Sequence, residues 1–283
     1  MIDIHAHILP GIDDGPSTLD EAVAMVRMAA ENGTTALVAT PHHDYRFTFD
    51  PVLVDEKIEE LRSAVGPFPA IHAGCELHFT ADAIDDALKS PLKFTIGHGT
   101  YLLLEFSNSS IPKTTTAILA LLLREGITPV IAHPERNPLL REIEDSLAEW
   151  GAMGCPIQIT AGSIFGWFGT AAQRAAYRLL GRGLVHAVAS DAHDLRVRPP
   201  VLNRAGQRIA DRFGPARADA LFVRHPNAVV TGRALPASVR EEHSLWRRIC
   251  ERFAGRPQDR IFPVSERRRP ELRSGATWHE SGP

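Results

Sequence analysis

Met1-Ile2-Asp3-Ile4-His5-Ala6-His7 opens the chain with the pattern of a β-strand. Side chains of a strand alternate between its two faces, so the two isoleucines are predicted on one face and Asp3, His5 and His7 on the other. Two imidazoles two residues apart at a strand end can bind one metal ion from the same side. A lone His-x-His also occurs among ordinary surface histidines, so the metal interpretation depends on the rest of the chain.

Short β-rich runs of this kind alternate with helical patterns up to about residue 200. Strict alternation requires parallel strands that are joined by helical crossovers. The predicted strands are Ile2–His7, Thr35–Thr40, Ala70–Glu76, Tyr101–Phe106, Pro129–His133, Pro156–Thr160 and Val185–Ser190. The predicted helices include Leu19–Asn32, Val54–Val65, Thr115–Glu125 and Thr170–Leu180, with two more between Arg204 and Arg233.

Seven strands that each end in a polar or ionisable residue predict an α/β fold of the TIM-like barrel type. In such barrels the catalytic residues come from the carboxyl ends of several different strands. The alternative is an open, doubly wound sheet, which usually carries a glycine-rich phosphate loop at one switch point. Neither G-x-G-x-x-G nor G-x-x-x-x-G-K-[S/T] occurs in the chain, so the barrel is preferred.

Composition narrows the class of protein. The chain has 283 residues, 44% of them hydrophobic and 23% charged, which is ordinary for a globular protein. Its net charge of −3 argues against a nucleic-acid-binding protein. The apolar run from Ala117 to Leu123 is too short to cross a bilayer, and no signal peptide is evident. Three cysteines without a CxxC pair fit a reducing compartment, so a cytoplasmic location is expected.

Nine side chains that can bind metal lie at or just after the predicted strand ends. They are His5, His7, Asp14, His42, Glu76, Glu105, His133, Asp191 and His193. Five imidazoles and four carboxylates exceed the three or four protein ligands of one open metal site. Four carboxylates packed together without cations would also repel one another. The set therefore predicts two or three divalent ions at one mouth of the barrel.

Two arginines accompany these ligands. Arg136 follows His133 by three residues, and Arg198 follows His193 by five. A guanidinium beside a metal-rich mouth is explained if an anion binds there, because its planar fork matches phosphate oxygens. Metals and arginines together indicate hydrolysis of a phosphate ester by a metal-activated hydroxide. Two alternatives stay open: Arg136 could instead pair with a nearby glutamate, and Arg196 competes with Arg198.

A series of motifs in one order carries a family resemblance over about residues 1–232. The chain resembles the bacterial PHP-type (polymerase and histidinol phosphatase) protein-tyrosine phosphatases of capsule and exopolysaccharide gene clusters. The motifs are Met1-Ile-Asp-Ile-His-x-His7, Asp13-Asp-Gly-Pro16, Thr40-Pro-His-His43, Gly74-Cys-Glu76, Leu104-Glu-Phe-Ser107, Gly126-Ile-Thr-Pro-Val-Ile-Ala-His-Pro-Glu-Arg136, Ala189-Ser-Asp-Ala-His193 and Arg198-Pro-Pro200.

The resemblance implies a distorted (β/α)7 barrel with three metal ions, usually manganese, although iron, zinc or magnesium would also suit. It implies three ligand sets and assigns Asp14, rather than Asp13, to the third. The sets are His5, His7, Glu76 and Asp191 for the first ion, Glu76, Glu105 and His133 for the second, and Asp14, His42 and His193 for the third. Arg136 and Arg198 would hold the phosphate as catalytic residues.

The implied substrate is phosphotyrosine on a protein, namely a cognate bacterial tyrosine kinase that controls polysaccharide synthesis. No nucleic acid and no membrane span are expected, and the oligomeric state is open. Two alternatives remain: a phosphatase for a small phosphomonoester such as histidinol phosphate, and a metal-binding regulatory barrel without catalysis.

The composition changes after Leu235. We therefore predict a barrel domain over 1–234 and a basic extension over 235–283, partly helical and then disordered. Within this extension, Cys250 and Arg256 have the Cys-x5-Arg spacing of cysteine-dependent tyrosine phosphatases. We favour chance spacing, because Ile249 rather than a histidine precedes the cysteine and no strand leads into it.

Overall fold

The strand order of a computed structural model, which describes residues 1–236, follows the sequence pattern closely. Every one of the seven predicted strands overlaps an observed one. The structure also has two short strands that were not predicted separately. His42–His43 follows the second predicted strand after Pro41, and Glu76–His78 begins at the last residue of the third. The nine strands are β1 (Ile2–Ala6), β2 (Ala36–Ala39), β3 (His42–His43), β4 (Ala70–Ala73), β5 (Glu76–His78), β6 (Tyr101–Glu105), β7 (Thr128–Ala132), β8 (Ile157–Thr160) and β9 (Ala187–Ala189).

These strands form two parallel sheets. The first has the order β1-β2-β4 and the second the order β3-β5-β6-β7-β8-β9. Between the last strand and the first, the structure has the isolated parallel bridge Ala6–Ala192, flanked by hydrogen bonds from Asp191 N to His5 O and from His7 N to Ala192 O, both 2.8 Å. The α/β class with parallel strands is confirmed. Closure into a seven-stranded barrel stays a prediction.

Helices follow the strands as crossovers, and the four predicted by name are observed within three residues at each end. The described α-helices are α1 (Leu19–Glu31), α2 (Pro51–Val65), α3 (Ala81–Lys89), α4 (Pro91–Phe94), α5 (Thr115–Arg124), α6 (Glu144–Met153), α7 (Ala161–Phe165), α8 (Gly169–Gly181), α9 (Asn203–Phe213), α10 (Pro215–Asp219) and α11 (His225–Val230). A π-helical turn at Ala220–Arg224 joins the last two, so 215–230 is one nearly continuous helical segment.

The first crossover begins and ends where its sequence signals predict. The Thr18 side chain accepts a hydrogen bond from the Glu21 N–H, as an N-cap should. The Glu21 carboxylate accepts from the backbone and hydroxyl of Ser17. Gly33 follows the helix with a φ of +86°, a conformation that glycine adopts without strain.

The opening strand departs from simple alternation. Asp3 pairs with Leu37 and Ala6 with Ala39, so β1 has one more residue than β2 between these pairs. Paired residues in register share a face, and an extra residue reverses the alternation. The prediction that Asp3 shares the face of His5 and His7 is therefore wrong. Asp3 instead accepts hydrogen bonds from the backbone of Ser190 (3.0 Å) and His5 (3.4 Å).

Two apolar layers enclose the strands. Alternate strand residues such as Leu37, Leu104 and Ile159 pack with the helices in one large cluster. Their neighbours, such as Ile4 and Val130, form a second cluster made mainly of strand residues. Apolar side chains on both faces are typical of parallel strands that are covered on both sides. Both layers fix the strand ends from which the polar side chains described below extend.

Several sequence predictions concern residues beyond those described. The domain boundary at residue 234 lies at the end of the described part, and the basic extension and Cys250 lie almost wholly outside it. Within residues 1–236, the helices are too short or too polar to cross a membrane.

A matched pair of leucines tests the packing of α5 on the strands. Leu119 is fully buried, whereas Leu92 on α4 is 59% exposed. We expect Leu119→Ala to lower the free energy of unfolding by about 2–5 kcal/mol, because it leaves a cavity. Leu92→Ala should change it by less than about 0.5 kcal/mol. Urea unfolding followed by circular dichroism measures both, and equal losses would contradict this placement of α5.

Candidate metal centre

All nine predicted ligand side chains come together at the carboxyl ends of the strands. Most are buried, and Asp14 and Glu105 are partly exposed with 41% and 25% of their side-chain surface accessible. His5 is in β1, with His7 and Asp14 just after it, His42 is in β3, Glu76 in β5, Glu105 ends β6, His133 follows β7, and Asp191 and His193 follow β9. The fold thus gathers residues that are up to 188 positions apart, from His5 to His193, at one edge.

Glu76 occupies the middle of this cluster. Its Oε2 atom lies 3.2 Å from the Nε2 atoms of His5 and His7 and 3.1 Å from Nδ1 of His42. Despite these distances, this buried oxygen has no partner in hydrogen-bond geometry. The donor atoms therefore point toward a shared space rather than at one another, as ligands around a cation do.

Asp191 completes the first group. Its Oδ1 atom lies 3.3 Å from His5 Nε2 and 3.6 Å from His7 Nε2. The two imidazole Nε2 atoms are themselves only 3.2 Å apart. One donor atom from each of His5, His7, Glu76 and Asp191 lies within 4.8 Å of every other, which suits one divalent ion.

A second group lies at the outer side of the cluster. Asp14 Oδ1 is 3.3 Å from His42 Nε2 and 3.2 Å from His193 Nε2. His7 also contributes a donor atom within 4.8 Å of these three. This group therefore contains the three residues that the resemblance implies for one ion, plus His7 beside them.

A third group lies around the other oxygen of Glu76. His133 Nε2 is 2.8 Å from Glu76 Oε1 but 3.9 Å from Glu105 Oε1. The donor atoms that converge within 4.8 Å here belong to His42, Glu76 and Glu105. The structure thus brings together Glu76, Glu105 and His133, the set that the resemblance implies for the second ion. It also places His42 next to them. The individual ligand roles stay predictions.

The electrostatics of the centre match this donor set. Burial tends to lower the pKa of His5, but the charges of Glu76 and Asp191 raise it to about 9. For Glu76, burial tends to raise the pKa, but the charge of His5, a hydrogen bond from His133 and the nearby His42 ring hold it well below its usual value. The neighbouring carboxylates raise the pKa values of His7 and His42 as well, so without metal these three imidazoles balance the carboxylates by holding protons. Divalent cations would replace these protons.

Three polar groups hold the imidazoles in place, and the sequence analysis assigned no role to them. Asp13 Oδ2 lies 2.7 Å from His7 Nδ1 and accepts the backbone N–H of His42. Gln158 Oε1 lies 3.1 Å from His5 Nδ1. His193 Nδ1 lies 3.1 Å from the carbonyl oxygen of Asp191. Such contacts leave each Nε2 atom free to face the centre.

The backbone turns sharply at two of the nine positions. His133 has a φ of +31° and Asp191 a φ of +53°, which non-glycine residues rarely adopt. His133 directly follows β7, Asp191 lies two residues after the end of β9, and both aim their side chains into the cluster. Backbone strain of this kind is concentrated at functional sites.

The two predicted arginines flank Asp191. The guanidinium groups of Arg136 and Arg198 both contact its Oδ2 atom, with Arg198 Nη2 at 2.6 Å. Arg196 is exposed, so the geometry favours Arg198 over it. The alternative pairing of Arg136 with a glutamate is not found within residues 1–236. Glu135 instead accepts hydrogen bonds from Thr160 N and Ser163 Oγ, both 2.8 Å.

An aromatic residue that the sequence analysis missed supports both arginines. The ring centroid of Phe168 lies 4.2 Å from the guanidinium carbon of Arg136 and 5.9 Å from that of Arg198. Phe168 also lines a pocket of about 240 Å³ together with Glu105, His133 and Arg136. Gly162 permits this arrangement, because a Cβ atom there would lie 2.9 Å from the Phe168 ring. Only the aromatic run Phe165-Gly-Trp-Phe168 could have signalled it.

Parallel α/β folding, a buried cluster of imidazoles and carboxylates at the strand ends, and arginines beside an open pocket together define a class. They are the features of a metal-dependent hydrolase whose substrate carries an anionic group. The donor set suits divalent metals.

Comparison with known proteins identifies the family within this class. The model of the family described as "Capsular polysaccharide synthesis, CpsB/CapC" matches residues 1–231, and the chain belongs to this family. Tyrosine-protein phosphatase CpsB of Streptococcus pneumoniae is 34% identical over 242 residues, covering 81% of this chain and 98% of CpsB. Tyrosine-protein phosphatase YwqE of Bacillus subtilis is 35% identical over 202 residues, covering 70% and 79%.

Solved structures agree with this assignment. The structures described as YwqE from Bacillus subtilis and CpsB from Streptococcus pneumoniae, "unique metal-dependent tyrosine phosphatases", match at a TM-score of 0.78 and 30% identity over 83% of this chain and 96% of theirs. An organophosphorus hydrolase from Deinococcus radiodurans matches at a TM-score of 0.53 and 15% identity, covering 81% and 92%. The latter similarity concerns the fold alone.

The contact between Asp13 and His7 can be tested without catalysis. Asp13→Asn should weaken Mn²⁺ binding by about tenfold to a hundredfold, because the group that orients the His7 ring is changed. Asp55→Asn, which changes an exposed carboxylate on α2, is the matched control and should leave affinity unchanged. Titration calorimetry on metal-stripped protein measures both. Equal affinities for the two variants would show that Asp13 does not position His7.

Proposed function

We propose that this protein is a metal-dependent phosphatase that hydrolyses phosphotyrosine in proteins. The observation that carries this proposal is the buried Glu76 oxygen, around which three imidazole nitrogens lie within 3.2 Å without a hydrogen bond. Its relatives CpsB and YwqE are tyrosine-protein phosphatases, and solved structures of both are described as metal-dependent.

The residues present fit a polynuclear centre of divalent ions. We assign His5, His7, Glu76 and Asp191 to the first ion and Asp14, His42 and His193 to another. Glu76, Glu105 and His133 would hold the remaining ion, with His42 close by. Oxygen and imidazole donors suit Mn²⁺, which we propose as the ion. Such ions lower the pKa of water and offset the negative charge of phosphoryl oxygens.

The protein's own part is to orient the phosphate. Arg136 and Arg198 approach the centre from the side of Asp191, and each presents donors that suit two phosphoryl oxygens. The Phe168 ring fixes their guanidinium planes from one side. A phosphate that binds both arginines would lie beside the residues that would hold the ions.

The pocket beside the arginines suits an aryl phosphate. Its volume of about 240 Å³ lies below the roughly 300–1,000 Å³ typical of pockets that enclose a drug-sized ligand. Phe106 and Phe168 line it with apolar surface, and His133 and Arg136 with polar groups. One tyrosyl side chain could enter while its protein stays outside. We propose a tyrosine kinase of capsule or exopolysaccharide synthesis as the protein substrate.

Metal removal tests the function directly. Purified protein that has been stripped with a chelator should no longer hydrolyse a phosphotyrosyl peptide, and added Mn²⁺ should restore turnover. Parallel additions of Zn²⁺, Mg²⁺ and Fe²⁺ identify the preferred ion, and histidinol phosphate serves as the competing substrate. Chelator-resistant turnover would contradict the metal mechanism. Hydrolysis of histidinol phosphate without hydrolysis of the peptide would favour a small-molecule phosphatase.

Substitution of each arginine separates phosphate binding from surface charge. Arg198→Gln and Arg136→Gln should each lower kcat/KM for a phosphotyrosyl peptide by about 100-fold or more, because a preorganised donor to the phosphoryl group is lost. Arg196→Gln should lower it by less than about threefold, since an exposed charge is screened by salt. A larger loss in Arg196→Gln than in Arg198→Gln would reverse the assignment.

A further inference from the structure

Helices α8 and α9 carry a row of arginines that the metal centre does not use. Arg174 and Arg178 lie on α8, and Arg204, Arg208 and Arg212 lie on α9. Their four-residue spacing places each set along one face of its helix. All five are exposed, and the chain as a whole carries a net charge of −3. The row is therefore a local concentration of positive charge on a protein that is slightly acidic overall.

Most of these charges lack a carboxylate partner within the described part of the chain. Arg178 pairs with Glu144. For Arg174, Arg204, Arg208 and Arg212, no carboxylate of residues 1–236 lies within ion-pair distance. The acidic side chain on these two helices, Asp211, accepts a hydrogen bond from Gln207 at 2.7 Å. Four guanidinium groups are thus available to an anion.

Three of these four guanidinium groups stack on aromatic rings. Arg204 and Arg208 lie 5.2 and 5.7 Å from the centroid of the Phe165 ring. Arg212 lies 4.4 Å from the centroid of the Tyr177 ring. A guanidinium that stacks on a ring keeps its N–H edge free for a carboxylate or phosphate, and it loses less freedom when the anion binds.

Four of the five arginines line a broad, shallow groove on the protein surface. The groove encloses about 660 Å³ and is lined by Gln173, Arg174, Tyr177, Arg178, Arg208 and Arg212. This volume exceeds the pocket of about 240 Å³ at the metal centre. It could accommodate a short peptide segment, and its walls offer both charge and aromatic surface.

The groove begins one to two helical turns along α8 from the pocket at the metal centre. Phe168, which lines the pocket at the metal centre, directly precedes α8. Arg174 is six residues further on, or about 9 Å along a helix. The ring centroid of Trp167, in the loop before α8, lies 5.8 Å from that of Phe165 at the end of α7, and the Phe165 ring contacts Arg204 and Arg208. A chain whose tyrosyl side chain is in the pocket could reach the groove with three extended residues.

We propose that the groove between α8 and α9 binds an acidic segment of the phosphoprotein substrate, close in sequence to its phosphotyrosine. This inference rests on the proposed function. Carboxylates, or a second phosphotyrosine, bind the free edges of the guanidinium groups. The groove thereby selects substrates by the charge that flanks the target tyrosine.

A nucleic acid or a membrane surface fits the same groove less well. The net negative charge of the chain repels a polyphosphate beyond the immediate patch, and a duplex needs a longer basic track. An anionic lipid surface would meet the same long-range repulsion. An acidic peptide matches the groove in size and charge.

Paired phosphotyrosyl peptides test the groove. One pair carries six glutamates or six glutamines at positions three to eight after the phosphotyrosine, and a second pair carries them before it. We expect one glutamate peptide to exceed its glutamine partner in kcat/KM by about tenfold, because several exposed ion pairs add up. In Arg208→Gln/Arg212→Gln this ratio should fall to about one. The matched control Arg27→Gln/Arg124→Gln, which neutralises exposed arginines on α1 and α5, should keep it.

A binding measurement separates the groove from the phosphatase function. The fluorescence anisotropy of a labelled glutamate peptide without phosphotyrosine reports docking even if no peptide is hydrolysed. Binding that Arg208→Gln/Arg212→Gln abolishes and the control retains supports the groove. Hydrolysis without such binding, or equal ratios in all three proteins, overturns the groove and leaves the phosphatase proposal intact. Tighter binding of an oligonucleotide or of anionic phospholipid vesicles overturns the peptide assignment.

Discussion

Glu76 and Asp191 are buried carboxylates within one cluster, and the cost of keeping two negative charges away from water governs the architecture around them. Each side chain is only 1% exposed. Buried charge of this kind persists only beside opposite charge. In the structure His5, His42 and the two arginines supply it. Burial tends to raise the pKa of Asp191, but the charges of His5, Arg136 and Arg198 hold it well below its usual value. The strand ends, the sharp turns at His133 and Asp191, and the contacts of Asp13 and Gln158 all serve to place these charges.

Much of this architecture could be predicted from the sequence, because strand periodicity and the position of polar residues at strand ends are local signals. The seven strands and the cluster of nine side chains follow from them. The extra residue in β1 could not be predicted, since it depends on the register between Asp3 and Leu37. Asp13, Gln158 and Phe168 were missed for a related reason. Their importance comes from contacts with His7, His5 and Arg136, and no spacing rule predicts contacts between distant side chains.

The pairing of both arginines with Asp191 would link the metal centre to the binding of a phosphate, the role that we propose for them. The same carboxylate contributes Oδ1 to the cluster around His5 and His7 and Oδ2 to Arg136 and Arg198. A phosphate that binds the guanidinium groups must share them with this oxygen. The arginines are thereby aligned before an anion arrives, and the reorganisation on binding is small. Phe168 contributes to the same alignment from the opposite side.

The net charge of −3 describes this protein poorly, because negative and positive side chains are concentrated in different regions of the molecule. Carboxylates converge on the metal centre, whereas α8 and α9 present arginines toward solvent. Charges near a surface interact mainly over a Debye length of roughly 8–10 Å, so an approaching substrate experiences the groove and the mouth as separate local fields. An acidic segment would therefore be attracted by the arginines of the groove itself, whether protons on the imidazoles or divalent ions balance the carboxylates of the mouth.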